Sequence, residues 1–166
     1  PLDVEMGLAV QTLEEFNQKV ETIELNMWIR MNWIDKRLQW NPNNYNNISF
    51  IVIKPNKIWH PDIELYNAAS LPELYNLNDA AMLYNRGLLM WSRPGIFRFS
   101  CPLELHKFPF DLQTCKFTFG SWIYNSNLMN LKPYNNSLKA VDVLDSFSHS
   151  EWDIQNITYK NESKDF

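Results

Sequence analysis

Cys101 and Cys115 are the only two cysteines of the chain, and they enclose a segment whose middle reads Phe108-Pro109-Phe110-Asp111. A disulfide between them would close a short loop and restrict the unfolded chain by about 3 kcal/mol. A structural disulfide persists in oxidising surroundings, so it would also indicate a secreted or outward-facing protein. The alternative is a pair of reduced, buried thiols. The proline between two phenylalanines favours a tight turn with both rings at the tip of the loop.

Aromatic side chains are the second chemically informative group. The chain contains 7 Trp, 7 Tyr and 10 Phe. Aromatic faces bind quaternary or protonated amines because their π electrons replace water around the cation without a formal charge. Most tryptophans in a β-sandwich nevertheless serve as core packing. We expect core positions for five of them: Trp33, Trp40, Trp59, Trp91 and Trp152.

The composition argues against catalysis and against nucleic-acid binding. His60, His106 and His149 are dispersed and lack zinc-type spacing to the cysteines. Neither a serine-centred nucleophile motif nor a glycine-rich phosphate loop occurs in the sequence. We therefore expect no enzyme activity, no metal site and no cofactor. The formal net charge is -4, and the sequence has no basic stripe that could neutralise the phosphates of a nucleic acid. The negative net charge weakly favours a cationic ligand.

The elements that must position these residues show a hydrophobic period of two. The alternation is clearest between Thr22 and Trp33, where Trp28 and Arg30 fall on the polar side. We predict strands over residues 3–13, 22–33, 48–53, 81–91, 96–105 and 116–121, separated by turn signals such as Arg93-Pro94-Gly95. Residues 125–150 carry the weakest pattern and predict a long mobile loop. Short strands at this spacing predict a single all-β sandwich or barrel. The sequence contains no run of about 18 apolar residues, which is the length that a membrane-spanning helix needs.

Five motifs, in order, resemble the Cys-loop ligand-gated ion channels, and the nicotinic acetylcholine receptor branch in particular. They are Trp28 to Pro42, Ile58 to Asn67, Arg93 to Phe97, Phe119 to Tyr124 and Glu151 to Asp153, and they surround the Cys101–Cys115 segment at the family's spacing. The resemblance implies the immunoglobulin-like β-sandwich of the receptors' extracellular domain. It also implies that residues 1–166 form one incomplete ligand-binding domain, without the family's amino-terminal helix, capping hairpin and transmembrane region.

The resemblance implies a binding site shared by two subunits. The residues that match the family's principal face are Tyr66 and Trp122, and Tyr124 would orient the segment around Trp122. Five residues match the family's complementary face: Trp28, Arg30, Met82, Met90 and Ser92. An arginine at position 30 looks more like the serotonin-gated relatives than typical acetylcholine sites. Its charge would oppose a cationic ligand unless the arginine is paired.

The function implied by the resemblance is the binding of a small, acetylcholine-like cationic amine between subunits of a pentamer at the extracellular face of the membrane. The loop tip at Phe108, Pro109, Phe110 and Asp111 would couple binding to the protein's own transmembrane domain. The alternatives are a secreted, soluble acetylcholine-binding protein and a sandwich used in cell adhesion. The apolar tip favours the channel, because a protein that never meets a membrane domain has no reason to expose two phenylalanines there.

Four N-glycosylation sequons occur, at Asn47, Asn135, Asn156 and Asn161. Chance alone would produce roughly two in a chain so rich in asparagine. The sequons therefore support a secreted or outward-facing domain only mildly.

Overall fold

The computed structural model describes residues 1–75, 80–108, 110–136, 141–143, 147 and 149–162. These residues form ten strands: β1 (Leu2–Asn17), β2 (Thr22–Ile34), β3 (Phe50–Ile53), β4 (Ile63–Leu65), β5 (Glu73–Leu74), β6 (Ala81–Tyr84), β7 (Leu88–Ser100), β8 (Phe119–Ser121), β9 (Met129–Pro133) and β10 (Val141–Val143). Single 3-10 turns occur at Lys36–Leu38, Pro42–Asn44, Pro55–Lys57 and Tyr134–Asn136. The predicted all-β class is confirmed.

Eight strands form one sheet in the order β10-β1-β2-β7-β6-β3, with β9 also paired to β1 and β5 paired to β7. Strands β4 and β8 form a separate two-stranded sheet. Ile63 and Leu65 of β4 pack into the same buried cluster as Met27, Met31 and Phe99 of the large sheet. The two sheets therefore share one core, in the sandwich arrangement that the sequence led us to expect.

Strand β2 separates core residues from outward-facing residues along its whole length. Met27, Ile29 and Met31 are at most 2 % exposed, whereas the side chains between them point away from the core. The tryptophan prediction is also confirmed. Trp33 and Trp91 are buried in the core, and three others pack against it half-buried: Trp40, Trp59 and Trp152.

The predicted turn at Arg93-Pro94-Gly95 is wrong, because these residues lie inside β7. The Pro94 carbonyl accepts a hydrogen bond from the Tyr75 N–H (3.0 Å), so the backbone of Pro94 points away from β2. On that side of β7, the residues paired with β6 end at Trp91, and the residues paired with β5 begin at Gly95. The proline therefore lies between two short neighbouring strands, where its missing N–H interrupts neither ladder.

The prediction of one long loop over residues 125–150 is also wrong. Strand β9 pairs in parallel with residues 2–6 of β1, and β10 pairs in parallel with residues 8–10. Both strands are short and lie at the edge of the sheet, where little hydrophobic alternation is needed. Other predicted boundaries shift: β3 begins at Phe50, β7 ends at Ser100 and β8 begins at Phe119.

Candidate functional site

The disulfide between Cys101 and Cys115 is formed, with the two Cα atoms 5.0 Å apart, and Cys101 is fully buried. Within the loop, Phe108 is 66 % exposed and Phe110 is 90 % exposed. Asp111 is half-buried and accepts a hydrogen bond from the Gln113 side chain. Pro109, predicted to form the turn between the rings, lies outside the described residues. The loop thus presents two phenylalanine rings to solvent from a covalently fixed base.

Tyr66 and Trp122, the two predicted aromatic residues of the principal face, are in contact. Their ring centroids lie 6.3 Å apart at an interplanar angle of 71°. The Tyr66 hydroxyl donates a hydrogen bond to the Ser121 carbonyl, which fixes the ring against β8. Gly120 makes this approach possible, because a Cβ there would lie 2.7 Å from the Tyr66 hydroxyl oxygen. Tyr66 is 48 % exposed and Trp122 is 78 % exposed, so the pair offers open ring faces.

A carboxylate that sequence reasoning missed holds the segment around Trp122. Asp62 accepts hydrogen bonds from the Ser121 hydroxyl (2.6 Å) and the Ile123 N–H (2.8 Å), and that hydroxyl accepts one from the Tyr124 N–H (2.7 Å). The Tyr124 hydroxyl accepts a hydrogen bond from the Trp59 indole (3.2 Å), and the two rings pack 6.0 Å apart. Tyr124 therefore supports the segment from its half-buried side. Asp62 lies within the Ile58 to Asn67 motif of the sequence, but that motif did not indicate this supporting role.

The five predicted residues of the complementary face lie together on the outer side of the large sheet. In the strand register Arg30 is opposite Ser92, and Met90 is opposite Met82. Opposed residues of neighbouring strands share a face, and Trp28 lies two positions from Arg30 on β2. Trp28 is 40 % exposed and Met82 is 36 % exposed. The Ser92 Oγ atom is buried without a hydrogen-bond partner among the described residues.

Arg30 is paired, which answers the question that its charge raised. Its guanidinium lies 2.8 Å from the Asp142 carboxylate and 5.7 Å from the centroid of the Tyr134 ring. Asp142 is brought there by β10, where it pairs with Ala9, and Ala9 in turn pairs with Trp28. The complementary face thus carries a balanced pair of charges. The partner lies 112 residues away in sequence, so no local pattern could indicate it.

The predicted principal and complementary faces point in opposite directions. Tyr66 directly follows β4 and Trp122 directly follows β8, the two strands of the small sheet. The five residues of the complementary face, which we call the Trp28 face, lie on the outer side of the large sheet. The buried sides of both sheets meet in the common core. One copy of the chain therefore carries the two predicted faces on opposite sides of the sandwich.

Two of the ion pairs lower the pKa of their carboxylate. The hydrogen bond from Lys132 (2.7 Å) lowers the pKa of Asp3 below its ordinary value. The hydrogen bonds from the Arg37 side chain likewise lower the pKa of Asp35, which also accepts the Arg37 N–H (3.0 Å) and so caps the turn Lys36–Leu38. Neither pair includes a residue of the two predicted faces.

Within the described part of the chain no cluster of histidine, cysteine and acidic residues could hold a metal ion, and no helix is long and apolar enough to cross a membrane. All four sequon asparagines are exposed: Asn47, Asn135, Asn156 and Asn161. The Asn161 amide already donates a hydrogen bond to the Leu131 carbonyl (3.2 Å).

Comparison with known proteins identifies the family. Residues 1–166 match the family described as "Neurotransmitter-gated ion-channel ligand binding domain". The chain is 36 % identical over 151 residues to the acetylcholine receptor subunit beta-like 1 of Drosophila melanogaster, covering 91 % of this chain and 29 % of that protein. It is 36 % identical over 156 residues to the neuronal acetylcholine receptor subunit non-alpha-2 of Carassius auratus (93 % and 33 %). It is 34 % identical over 163 residues to the human neuronal acetylcholine receptor subunit alpha-2 (98 % and 30 %). The chain thus spans about a third of the length of these curated relatives.

Proposed function

Because the chain belongs to the neurotransmitter-gated ion-channel ligand-binding domain family, we propose that it binds a small, acetylcholine-like cationic amine between two subunits of a pentameric receptor. Its relatives are receptor subunits and not enzymes. The observation that carries the proposal is the contact between the Tyr66 and Trp122 rings, which are both open to solvent. The Tyr66 ring is held by the hydrogen bond from its hydroxyl to the Ser121 carbonyl. Open aromatic faces suit an ammonium group, and each cation–π contact contributes about 0.5–2 kcal/mol.

A second subunit is needed to complete this site. The Trp28 face lies on the side of the sandwich away from Tyr66 and Trp122, so one chain cannot close around a ligand. Repeating the chain head to tail brings the aromatic pair of one copy against the Trp28 face of the next, and such an arrangement closes into a ring.

The charge balance of the complementary face supports a cationic ligand. An isolated Arg30 guanidinium would repel an ammonium group, but the Asp142 carboxylate 2.8 Å away offsets that charge. The remaining members of this face are the Trp28 ring and apolar or neutral side chains. Attraction between the ligand and the aromatic rings is therefore not opposed by a net positive charge.

Trp122→Ala tests the proposal, with the equally exposed neighbour Ile123→Ala as a matched control. Acetylcholine affinity is measured by equilibrium binding to the assembled full-length protein. Trp122→Ala should weaken binding by more than about 1 kcal/mol, roughly fivefold, because a cation–π contact is lost. Ile123→Ala should change the affinity less than about twofold, since it removes no aromatic face. Unchanged affinity in a folded Trp122→Ala protein would leave Trp122 with a structural role only.

Coupling to a membrane domain is favoured over a secreted, soluble binding protein by the disulfide loop. Phe108 and Phe110 are exposed at its tip, and exposed apolar groups of this kind mark a contact surface. We place the domain at the extracellular face of the membrane, with the loop against the protein's own transmembrane region.

The double substitution Phe108→Ser with Phe110→Ser tests this coupling in the full-length protein. Agonist-evoked current should be lost while ligand affinity stays within about twofold, because neither phenylalanine belongs to the aromatic pair. Leu112→Ser, at a loop position that is 73 % exposed, is the control for a general loss of apolar surface. Normal gating by the double variant would favour the soluble binding protein instead.

Glycosylation fits the extracellular placement. We propose that Asn47, Asn135 and Asn156 accept glycans, and that Asn161 is used less because its amide is already hydrogen-bonded. Mass spectrometry of peptides from secreted material, before and after enzymatic deglycosylation, would identify the occupied positions.

A further inference from the structure

The Asn67 side chain uses three hydrogen bonds to join two separate segments of backbone. Its amide nitrogen donates to the Ser100 carbonyl (3.2 Å) and to the Lys116 carbonyl (2.7 Å). Its carbonyl oxygen accepts from the Thr118 N–H (3.1 Å). The Asn67 main-chain carbonyl also accepts the Ser100 N–H (3.1 Å). A single half-buried side chain thus fixes both the end of β7 and the segment leading into β8.

These contacts lie directly beside the disulfide. Ser100 immediately precedes Cys101, and Lys116 immediately follows Cys115. The Asn67 carboxamide therefore bridges the two chain ends from which the disulfide loop emerges. On its other side, Asn67 directly follows Tyr66, whose ring forms half of the exposed aromatic pair. The backbone of Tyr66 is tied to the same segment, since its N–H donates to the Thr118 carbonyl (2.8 Å).

We propose that Asn67 is a positioning residue that links the Tyr66–Trp122 pair mechanically to the base of the disulfide loop. A shift of Tyr66 moves the adjoining Asn67, and the carboxamide transmits that shift to Ser100 and Lys116 together. This inference rests on the proposed function, because it concerns how a ligand at the aromatic pair would influence the loop. Energetic coupling of this kind needs a contiguous set of rigid contacts, and these hydrogen bonds supply one.

Asparagine suits this role for a chemical reason. The task needs two N–H donors for two carbonyls and one acceptor for an N–H, which is the inventory of a carboxamide. An aspartate has nearly the same shape, but it would place a carboxylate against two carbonyl oxygens. Asn67→Asp therefore removes the side-chain bonds to the Ser100 and Lys116 carbonyls. It leaves the acceptor for the Thr118 N–H and the main-chain bond to the Ser100 N–H.

The first test needs no ligand and uses hydrogen exchange of the loop amides, residues 102–114, in the assembled full-length protein. Tyr66→Ala should speed this exchange about fivefold, roughly the effect of one net hydrogen bond. In an Asn67→Asp background the same Tyr66→Ala change should add less than about twofold, because the link is already broken. Asn130→Ala, which removes one surface hydrogen bond to Asp3, is the control background and should leave the fivefold effect intact.

A purely structural role for Asn67 predicts a different result. Tyr66→Ala would then have the same effect with and without Asn67, and that additivity would overturn the proposal, as would an absence of any effect of Tyr66→Ala. Should Asn67→Asp fail to assemble, Asn67→Ser serves in the same cycle, because its hydroxyl can satisfy only one of the two carbonyls.

The second test separates binding from response in the same protein. Asn67→Asp should keep the affinity for a competitive antagonist within about twofold and reduce agonist-evoked opening about tenfold. Unchanged opening would overturn the link. If the unsubstituted protein binds no amine at all, the proposed function fails, and the ligand-free exchange cycle still decides whether Tyr66 and the loop are coupled through Asn67.

Discussion

Replacing Asp142 with asparagine should expose the ligand to the charge of Arg30. The substitution keeps the shape of the side chain but removes the carboxylate that lies 2.8 Å from the guanidinium. Arg30 and Trp28 are two positions apart on one strand face, which places their Cα atoms about 7 Å from each other. An ammonium group bound at Trp28 would therefore meet an uncompensated positive charge at about that distance.

The size of this effect follows from Coulomb's law. At about 7 Å the repulsion is about 0.6 kcal/mol in an aqueous environment and about 2.4 kcal/mol at an effective dielectric constant of about 20. Asp142→Asn should therefore weaken the binding of a cationic amine by about threefold to fiftyfold. The loss should be smaller in high salt if the site is open to solvent, because exposed charges are screened.

The assay compares acetylcholine with its uncharged carbon isostere by equilibrium competition on the assembled protein. Asp142→Asn should weaken only the binding of the cation, and Arg30→Gln combined with Asp142→Asn should restore it, since both charges are then gone. An equal loss for both ligands would mean that Asp142 acts by shaping the site. No loss for either ligand would refute the placement of Arg30 near the ligand.

Three further predictions concern the supports of the site and the fold. Replacing Cys101 and Cys115 with serine should lower the free energy of unfolding by about 3 kcal/mol, and an unchanged denaturant midpoint would contradict this. Asp62→Asn should weaken amine binding about tenfold without contacting the ligand, because hydrogen bonds from Ser121 and Ile123 lose their charged acceptor. Glu64→Gln, on the exposed side of β4, is its control and should have little effect. Asp35, whose pKa is lowered by Arg37, should stabilise the fold above its ordinary pKa of 3.8, and this stabilisation should disappear as the pH falls below that value. The stability difference between the unsubstituted protein and Asp35→Asn should shrink over the same acid range in denaturant titrations, and a constant difference would contradict the assignment.

The sequence predicted those features that depend on neighbours along the chain. The alternation in β2 placed Trp28 and Arg30 outside and Met27 and Ile29 inside, because the period of a strand is local. The motif resemblance supplied Tyr66 and Trp122, and the structure brings their rings together.

The features that were missed depend on partners distant in sequence. Asp142 reaches Arg30 only because β10 pairs with β1, and the weak pattern of residues 125–150 gave no indication of that strand. Pro94 suggested a turn, and only the register of β5 and β6 shows why a proline is tolerated inside β7. Asp62 and Asn67 bond to residues that lie 33 to 61 positions away in sequence, so their roles could not be deduced from local spacing.

The arrangement of β2 also bears on how such a domain can diversify. Strand β2 is paired with β1 on one side and with β7 on the other over its length. A one-residue insertion would therefore turn its core residues outward and its outward residues into the core, which would prevent folding. Substitution at Trp28 or Arg30 carries no such penalty, because neither side chain packs in the core. Point substitutions on this one strand can therefore change the chemistry of the outer face, whereas we expect one-residue insertions or deletions to be tolerated only in the turns that flank it.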